Sequence, residues 1–477
     1  MSKAFLGPRL RRLREEHGPT QVAVAKAVGV SPSYYNQLEN DQRPLTASLQ
    51  LRISSAFGID LQMFAEDDEG RLFAGLREAI SLSSPKTVVS ATELREFAHN
   101  HPEIAEALLN IHTRQRDASE RAEALAHTLG SRAGEPAPPL APHEEVRDFF
   151  YARHNYVAQL DELAERLARD LSLAPGENTP KLIAYLRGRH NVSVQLVAAE
   201  DRASHKRRYD PAARVLQLPT QLLPPARAFQ LATQLALLEA PELIHEIADE
   251  GGFSSEEARA LARIGLANHF AGALLLPYIA FLAAAEQWRY DIDRLRRHFQ
   301  VSYETTCHRL STLQRPRKKG VPFFFMRVDR AGNISKRQSA TDFHFSRVGG
   351  TCPLWNVYEA FAQPGRILRQ LAQMPDGRTY LWIARAVSRV GGGFGTPDTI
   401  FSIGLGCDVR HAARLVYAQG LDLTHPAGAT PIGMGCKVCE RRNCTQRAFP
   451  PVGHPLVVSE HESSADPYTF ATRKPRS

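Results

Sequence analysis

The apolar positions of the first 65 residues recur at short helical intervals. Leu10, Leu13, Val22, Ala25, Val28 and Leu38 are spaced so that several short helices can share one small core. Thr20-Gln21 opens a helix expected to turn Val22, Ala25 and Val28 inward. Gly29 supplies a turn, and Ser31-Pro32 opens the next helix as N-cap and first helical residue. That second helix, Pro32 to Asn40, should bury Tyr35 and Leu38 and leave Ser33, Tyr34, Asn36 and Gln37 free. From Thr92 to Leu129 the pattern is helical again. Ile104, Leu108, Ile111, Gln115, Ala118, Ala122, Leu125 and Leu129 alternate by four and three, the seam of a two-stranded coiled coil or a stripe that packs on its own domain. Gly134-Glu135-Pro136-Ala137-Pro138-Pro139 ends the pattern and reads as a linker. Helices dominate from His143 to Pro316, apart from Val192 to Val197 and Arg214 to Leu218, which read as a hairpin around a basic run. Beyond Lys319-Gly320 the texture changes to Phe-rich strands with many glycines and cysteines, and no internal repeat is found.

Length and charge narrow the class. At 477 residues the chain has room for about three domains. Its excess of 59 Lys and Arg over 51 Asp and Glu suits a polyanionic partner without requiring one. The first residues are charged and hold no apolar signal core, so export is not expected and a cytoplasmic location is. The most apolar stretch, Phe270 to Ala285, is broken by Pro277 and falls short of the roughly 20 residues of a membrane span, so no membrane partner is expected. Six cysteines are too few for a disulfide scaffold, but three of them fall between 436 and 444, which points to metal.

Short polar side chains at the start of a recognition helix reach base edges in the major groove, while longer ones nearby reach phosphates. The candidate DNA contacts are therefore Gln21, Lys26, Ser31, Ser33, Tyr34, Asn36, Gln37, Asn40 and Arg43. The whole run TQVAVAKAVGVSPSYYNQLENDQRPLTASLQLRISSAFGID resembles the lambda-repressor-like, XRE-type helix-turn-helix family, and Asn40-Asp41-Gln42-Arg43-Pro44 fits the loop after its recognition helix.

In the middle of the chain, RAFQLATQLAL, ANHFA and LLLP resemble the zinc-peptidase-like domain of the IrrE/ImmA family. Active members place two histidines and a glutamate on one helical face. Thr233, Gln234 and Leu237 stand at those positions here, and Ile264 and Leu266 stand where the acidic third ligand is expected, so no zinc is expected at this site. His245-Glu246-Ile247-Ala248-Asp249 is a near-miss for a zincin helix and leaves a peptidase alternative. A peptidase fold without ligands keeps a cleft for a small molecule. Arg202, Lys206, Arg207 and Arg208 are the candidate contacts to an anionic ligand, against a solvated basic loop.

Cys436, Cys439 and Cys444 form C-x2-C-x4-C, and the absence of a His at the third position excludes a zinc knuckle. The fourth thiolate is expected from Cys407, with Cys352 as its alternate; both lie close to glycines. Four thiolates suit structural zinc or an iron-sulfur cluster. Cys307, inside a helix, reads as core. The segments CPLWNVYEAFAQPGRI, GLGCDVRHAARLVYAQGLDL and ATPIGMGCKVCERRNCTQRAFPPVG resemble the C-terminal domain of the actinobacterial short-chain fatty acyl transcriptional regulators. That resemblance implies control of propionate, acetate and glyoxylate-route genes, an acyl-CoA effector and a [4Fe-4S] cluster.

The expectation is a multidomain α+β regulator rather than an enzyme, binding a double-stranded operator as a homodimer. Its parts are an all-α lambda-repressor-like helix-turn-helix (1–65), a helical connector and Pro-rich linker (66–142), a zincin-like α+β ligand-sensing domain (143–316) and a Cys-containing α+β domain (317–477). The alternatives are a metal-dependent peptidase-type regulator, a redox protein, and a DNA-binding scaffold with structural zinc.

Overall fold

The computed structural model describes residues 19–40, 67–83, 89–129, 142–198, 205–341, 343, 351–389, 398–425, 428–439, 441–451, 455–462 and 468–470, with single positions between 7 and 56. Leu13, Asp41, Pro44, the linker at 134–139 and Arg202 lie outside the described residues, as do the side chains of Ala118, Ala122, Leu125 and Leu129. The chain is a multidomain α+β protein that divides into two compact units, residues 1–114 with 473–477, and residues 115–472.

In the first unit, α1 (Gln21–Val28) and α2 (Pro32–Glu39) form the expected pair. Thr20 and Ser31 cap them, their hydroxyls accepting from the backbone N–H of Ala23 and Tyr34 at 3.3 and 3.1 Å. Gly29 takes the left-handed conformation at φ 69°, which permits the tight turn. Val24, Ala25 and Val28 face the core with Leu10, Tyr35, Leu38, Leu49 and Ile53. Val22, expected inside, is 61% exposed. The helix is rotated so that Val24, one turn before Val28, takes the inner place. Next come α3 (Asp67–Ser83), α4 (Ala91–Asn100) and α5 (Pro102–Leu129). The single helix read from Thr92 is two helices, because Pro102 disfavours helical backbone at His101, which is extended in φ at −134°. Leu72, Phe73, Leu76, Leu94, Ala98 and Ala105 form a second small core.

The second unit begins its compact part with α6 (Pro142–Ala152), α7 (Ala158–Asp170) and α8 (Asn178–His190). β1 (Ser193–Val197), β2 (Arg208–Asp210) and β3 (Val215–Pro219) follow. β1 pairs with β3 in parallel and β2 pairs with β3 antiparallel, so the hairpin read across β1 and β3 is corrected to β2–β3. A short return strand lies between them in sequence. Five helices come next: α9 (Pro224–Glu239), α10 (Pro241–Asp249), α11 (Glu256–Leu275), α12 (Tyr278–Gln287) and α13 (Ile292–Phe299). The apolar run from Phe270 spans α11 and α12, whose inner residues are buried core. Among the described residues no single helix is long and apolar enough to cross a membrane.

After α14 (Tyr303–Ser311) the chain lays down β4 (Phe324–Val328), β5 (Ile334–Ser339), α15 (Asn356–Glu359), β6 (Leu368–Gln373), β7 (Thr379–Arg389), β8 (Thr399–Asp408), α16 (Val409–Ala412) and β9 (Thr430–Pro431). The six strands are ordered β5-β4-β8-β7-β6-β9, antiparallel except for β6–β9. Successive side chains on a strand point to opposite faces. Phe325, Leu381, Ile383, Ile403, Leu405 and Cys407 therefore join the helical core of the middle of the chain. Phe324, Met326, Tyr380, Trp382 and Ala384 turn the other way and pack with Phe343, Cys352, Trp355 and Ile432. The boundary expected at residue 316 is not a gap in packing, since one core runs through both sides of it. Gly406 is needed here: a Cβ on it would meet the Phe324 ring at 2.1 Å.

Candidate nucleic-acid interface and cysteine pocket

On α2, Ser33 and Asn36 are exposed, Tyr34 and Gln37 are half-buried, and Lys26 projects from the last turn of α1. Arg43 donates to Gln37 Oε1 at 2.9 Å and lies over the Tyr34 ring, so the loop behind α2 is tied to the reading helix. Asn40 donates to Asn36 Oδ1 at 3.0 Å. Others of the candidate contacts have internal work as well. Ser31 is the N-cap, Asn40 holds Asn36, and Gln21 donates to Glu39 Oε2 at 2.6 Å. Glu39, buried and ion-paired to Arg14 at 2.6 Å, fixes the angle of α2 against its neighbours; the sequence pattern gave no hint of it.

The positions of the peptidase ligands are filled by packing. Thr233 and Gln234 are buried and Leu237 is half-buried on α9. The Thr233 hydroxyl donates back to Phe229 O at 2.8 Å, a helix-internal bond where a ligand would be needed, and lies 3.3 Å from the Asn268 side-chain amide. His245 and Glu246 are exposed on α10, with His245 Nδ1 at 2.7 Å from Pro241 O, and Asp249 pairs with Arg259. They line no cleft.

A buried ionic network joins α7 to α14. Asp161 on α7 receives both terminal nitrogens of Arg309, and Arg315 bridges it to Glu165 at 3.0 and 2.9 Å. Burial opposes ionisation of Asp161, but the adjacent Arg309 guanidinium overcomes it and holds the carboxyl below its ordinary range. His269 Nε2 stands 3.7 Å from Asp161 Oδ2, and burial pushes its pKa down to about 4 despite that carboxylate. Of the basic run, Lys206 and Arg208 are exposed while Arg207 is partly buried, where desolvation lowers its pKa.

Cys352, Cys436, Cys439 and Cys444 line one pocket, together with Pro353, Gly433, Arg441 and Arg447. Cys407, expected in this set, does not share the pocket, and Cys352, its alternate, does. Cys407 lies opposite Leu381 on β8 and points into the helical core on the other face of the sheet, wholly buried. Cys352 heads the segment that covers the cysteine side, where Trp355 donates to Gly433 O at 3.1 Å. Cys307 is core, as expected. Gly433 leaves room for sulfur, since a Cβ there would come within 2.7 Å of Cys439 Sγ. The loop turns as a 3-10 helix at Cys436–Val438, and Ala448 donates its N–H to Cys436 Sγ at 3.4 Å. Burial pushes the Cys352 thiol up to about 11 although Gly433 and Leu354 donate N–H groups to it. Cys439 is raised by burial too, against donation from Arg441 and the charges of Arg447 and Arg441.

Among the described residues no group of three or more His, Cys, Asp or Glu is placed so that it could hold a metal ion as it stands. The donor chemistry nevertheless fits one. Four thiols share a pocket, a glycine keeps space for sulfur, and cations with N–H donors surround groups that become anions on binding a soft metal.

A helix-turn-helix with an exposed reading helix, followed by a peptidase-like fold without ligands and a cysteine-lined domain, defines a multidomain DNA-binding regulator. Residues 10–64 match the helix-turn-helix family, 187–311 the IrrE N-terminal-like domain, and 312–468 the short-chain fatty acyl coenzyme A regulator C-terminal domain. The HTH-type transcriptional regulator PrpR of Mycobacterium tuberculosis is 49% identical over 98% of this chain and 96% of its own. RamB of the same organism is also 49% identical, over 98% and 99%. The propionyl-CoA carboxylase regulator of Cereibacter sphaeroides is 43% identical over 98% of both. A solved Mycobacterium tuberculosis transcriptional regulator, 54% identical, superposes with a TM-score of 0.66 over 69% of this chain and 99% of that one. The chain belongs to the family of HTH-type short-chain fatty acyl coenzyme A regulators.

Proposed function

We propose that this regulator senses a short-chain acyl-CoA in its middle region and holds an iron-sulfur cluster on Cys352, Cys436, Cys439 and Cys444. Both control how a cytoplasmic homodimer occupies its operator. The observation that carries the metal half is the meeting of four thiols in one pocket beside the buried Arg447 and the half-buried Arg441. The cluster would supply oxidant sensitivity when bound. Zinc fits the same donors, and iron is favoured by the family likeness.

Ser33, Tyr34, Asn36 and Gln37 read base edges, Lys26 and Arg43 hold phosphates, and Glu39 sets the angle of the helix. Ile104, Leu108 and Ile111 stand 53, 45 and 63% exposed on α5 at the four-three spacing, a face that a second copy covers, giving two reading helices for two half-sites. The acyl-CoA half rests on relatives named for propionyl-CoA carboxylase regulation and on the family description. Lys206, Arg207 and Arg208 are its candidate phosphate contacts. Thr233, Gln234 and Leu237 offer no zinc ligands or base for peptide hydrolysis, so no catalytic role is assigned to α9.

The test is one anaerobic preparation of the full chain, assayed for iron, sulfide and zinc, then titrated with acetyl-, propionyl- and butyryl-CoA in a calorimeter. Iron with sulfide and broad visible absorbance is expected, with saturable binding of at least one ligand. Stoichiometric zinc without iron overturns the cluster in favour of a structural-zinc scaffold. No saturation with any of the three overturns the effector.

A further inference from the structure

Arg447 lies outside the C-x2-C-x4-C motif, three residues after Cys444, and is only 3% exposed. Its Nη1 donates to the carbonyls of Cys436 and Phe449, both at 3.3 Å. Its Nη2 donates to the carbonyl of Cys439 at 3.1 Å and to that of Arg441. Its own N–H returns to Cys444 O at 3.1 Å, and the Phe470 ring lies 5.0 Å from the guanidinium carbon. One side chain thus grips the backbone at two of the motif's cysteines, while its main chain grips the third. Only a planar five-donor group spans four carbonyls in this way.

The arrangement is unusual in its charge. A buried cation is costly unless paired, and among the described residues no carboxylate pairs with Arg447. Carbonyl dipoles offset part of that cost. Among the described residues, the groups beside it that can become anionic are the cysteine sulfurs, once they lose their protons.

We infer that Arg447 is a positioning residue that keeps the cysteine loop in ligand-ready form without metal and becomes its buried counter-charge once metal is bound. The second half rests on the reading of this pocket as a thiolate metal centre. The loop then differs from small zinc domains, where metal itself makes the fold. Loss of metal leaves the loop assembled, so the site refills without refolding.

The experiment uses the full chain, reduced and stripped of metal, with two readouts. One is the N-ethylmaleimide labelling rate of each cysteine by mass spectrometry; the other is zinc affinity measured against a chromophoric chelator. Arg447→Gln should speed labelling of Cys436, Cys439 and Cys444 at least tenfold and weaken zinc binding at least tenfold. Arg447→Lys, keeping charge but not the fork, should speed labelling nearly as much and recover part of the affinity. Cys307 and Cys407, buried in the helical core, stay unlabelled if the unit is folded. Unchanged labelling in Arg447→Gln overturns the latch, whatever happens to zinc. Unchanged zinc affinity overturns the counter-charge. If Arg447→Gln exposes Cys307 and Cys407, Arg447→Lys decides by the same criteria. A wild type that binds no zinc, with labelling still dependent on Arg447, sinks the metal-centre reading and leaves the latch standing.

Discussion

The peptidase-like helix α9 and the cysteine pocket lie in one compact unit and have opposite fates. On α9 the ligand positions hold Thr233, Gln234 and Leu237, and a hydroxyl turns back to its own helix. In the pocket the donors are present, a glycine keeps space beside Cys439, and a buried arginine shapes the loop. The fold around α9 survives without its chemistry because its core does not depend on the ligands. Leu231, Ala232, Leu235 and Ala236 are buried beside α11 regardless of what stands at 233 and 237. A cysteine loop of little regular structure has no such core, and its shape depends on the residues that serve the site.

The sharpest way to break this contrast is a pair of cysteine changes on opposite faces of the sheet. Cys352→Ser should abolish stoichiometric metal in anaerobic protein, whereas Cys407→Ser should keep it and lose about 1–3 kcal/mol of stability by placing a hydroxyl in apolar core. Metal retained in the first variant and absent from the second returns the fourth ligand to Cys407.

A second test asks whether the buried ionic network between α7 and α14 is structural. Asp161→Ala leaves Arg309 buried without its carboxylate and should cost about 3–5 kcal/mol in urea unfolding, with the pocket keeping its metal. A cost under about 1 kcal/mol would show that the network is incidental. Acid should reveal the same region. His269 is held neutral by burial, with Arg309 and Lys336 disfavouring its charge and Asp161 favouring it, so its folded pKa of about 4 lies below the unfolded value of about 6.5. The unfolded chain then binds the extra proton, and stability is full above about pH 6.5 and falls by up to about 3 kcal/mol as pH drops to 4. His308, lowered in the same sense by burial, adds to that window. Asp161 adds a further loss at lower pH, as it protonates below the usual carboxylate range. A flat profile between pH 6.5 and 4.5 in wild type contradicts the neutral, buried His269.

The smallest expected effect lies in the first unit, where the candidate base contacts on α2 are exposed or half-buried and stand outside the small core. Ser33→Ala with Gln37→Ala should relax operator discrimination by about 1–3 kcal/mol for each base edge that is no longer read. Lys26→Ala should weaken all DNA alike and flatten the salt dependence. Discrimination that survives the double change, in protein with unchanged thermal unfolding, moves the reading face elsewhere.

Much of this molecule was legible in its residues because the signals are local. Caps at Thr20 and Ser31, the turn at Gly29, the exposed start of α2, the emptied ligand positions on α9 and the spacing of Cys436, Cys439 and Cys444 all depend on neighbours a few positions away. Periodicity was less reliable where two faces compete, as at Val22, and where a proline intervenes, as at His101. Tertiary structure alone decided the rest. Asp161 and Arg309 are 148 residues apart, and nothing near either one announces the other. Cys352 and Cys407 both have glycines close by in sequence. Strand alternation, together with the order in which β4, β8 and β7 pair, sends Cys407 into the helical core and leaves Cys352 to meet the motif cysteines. Local propensity fixes the elements, but which buried groups meet depends on how strands register and faces pack, and those are properties of the assembled chain.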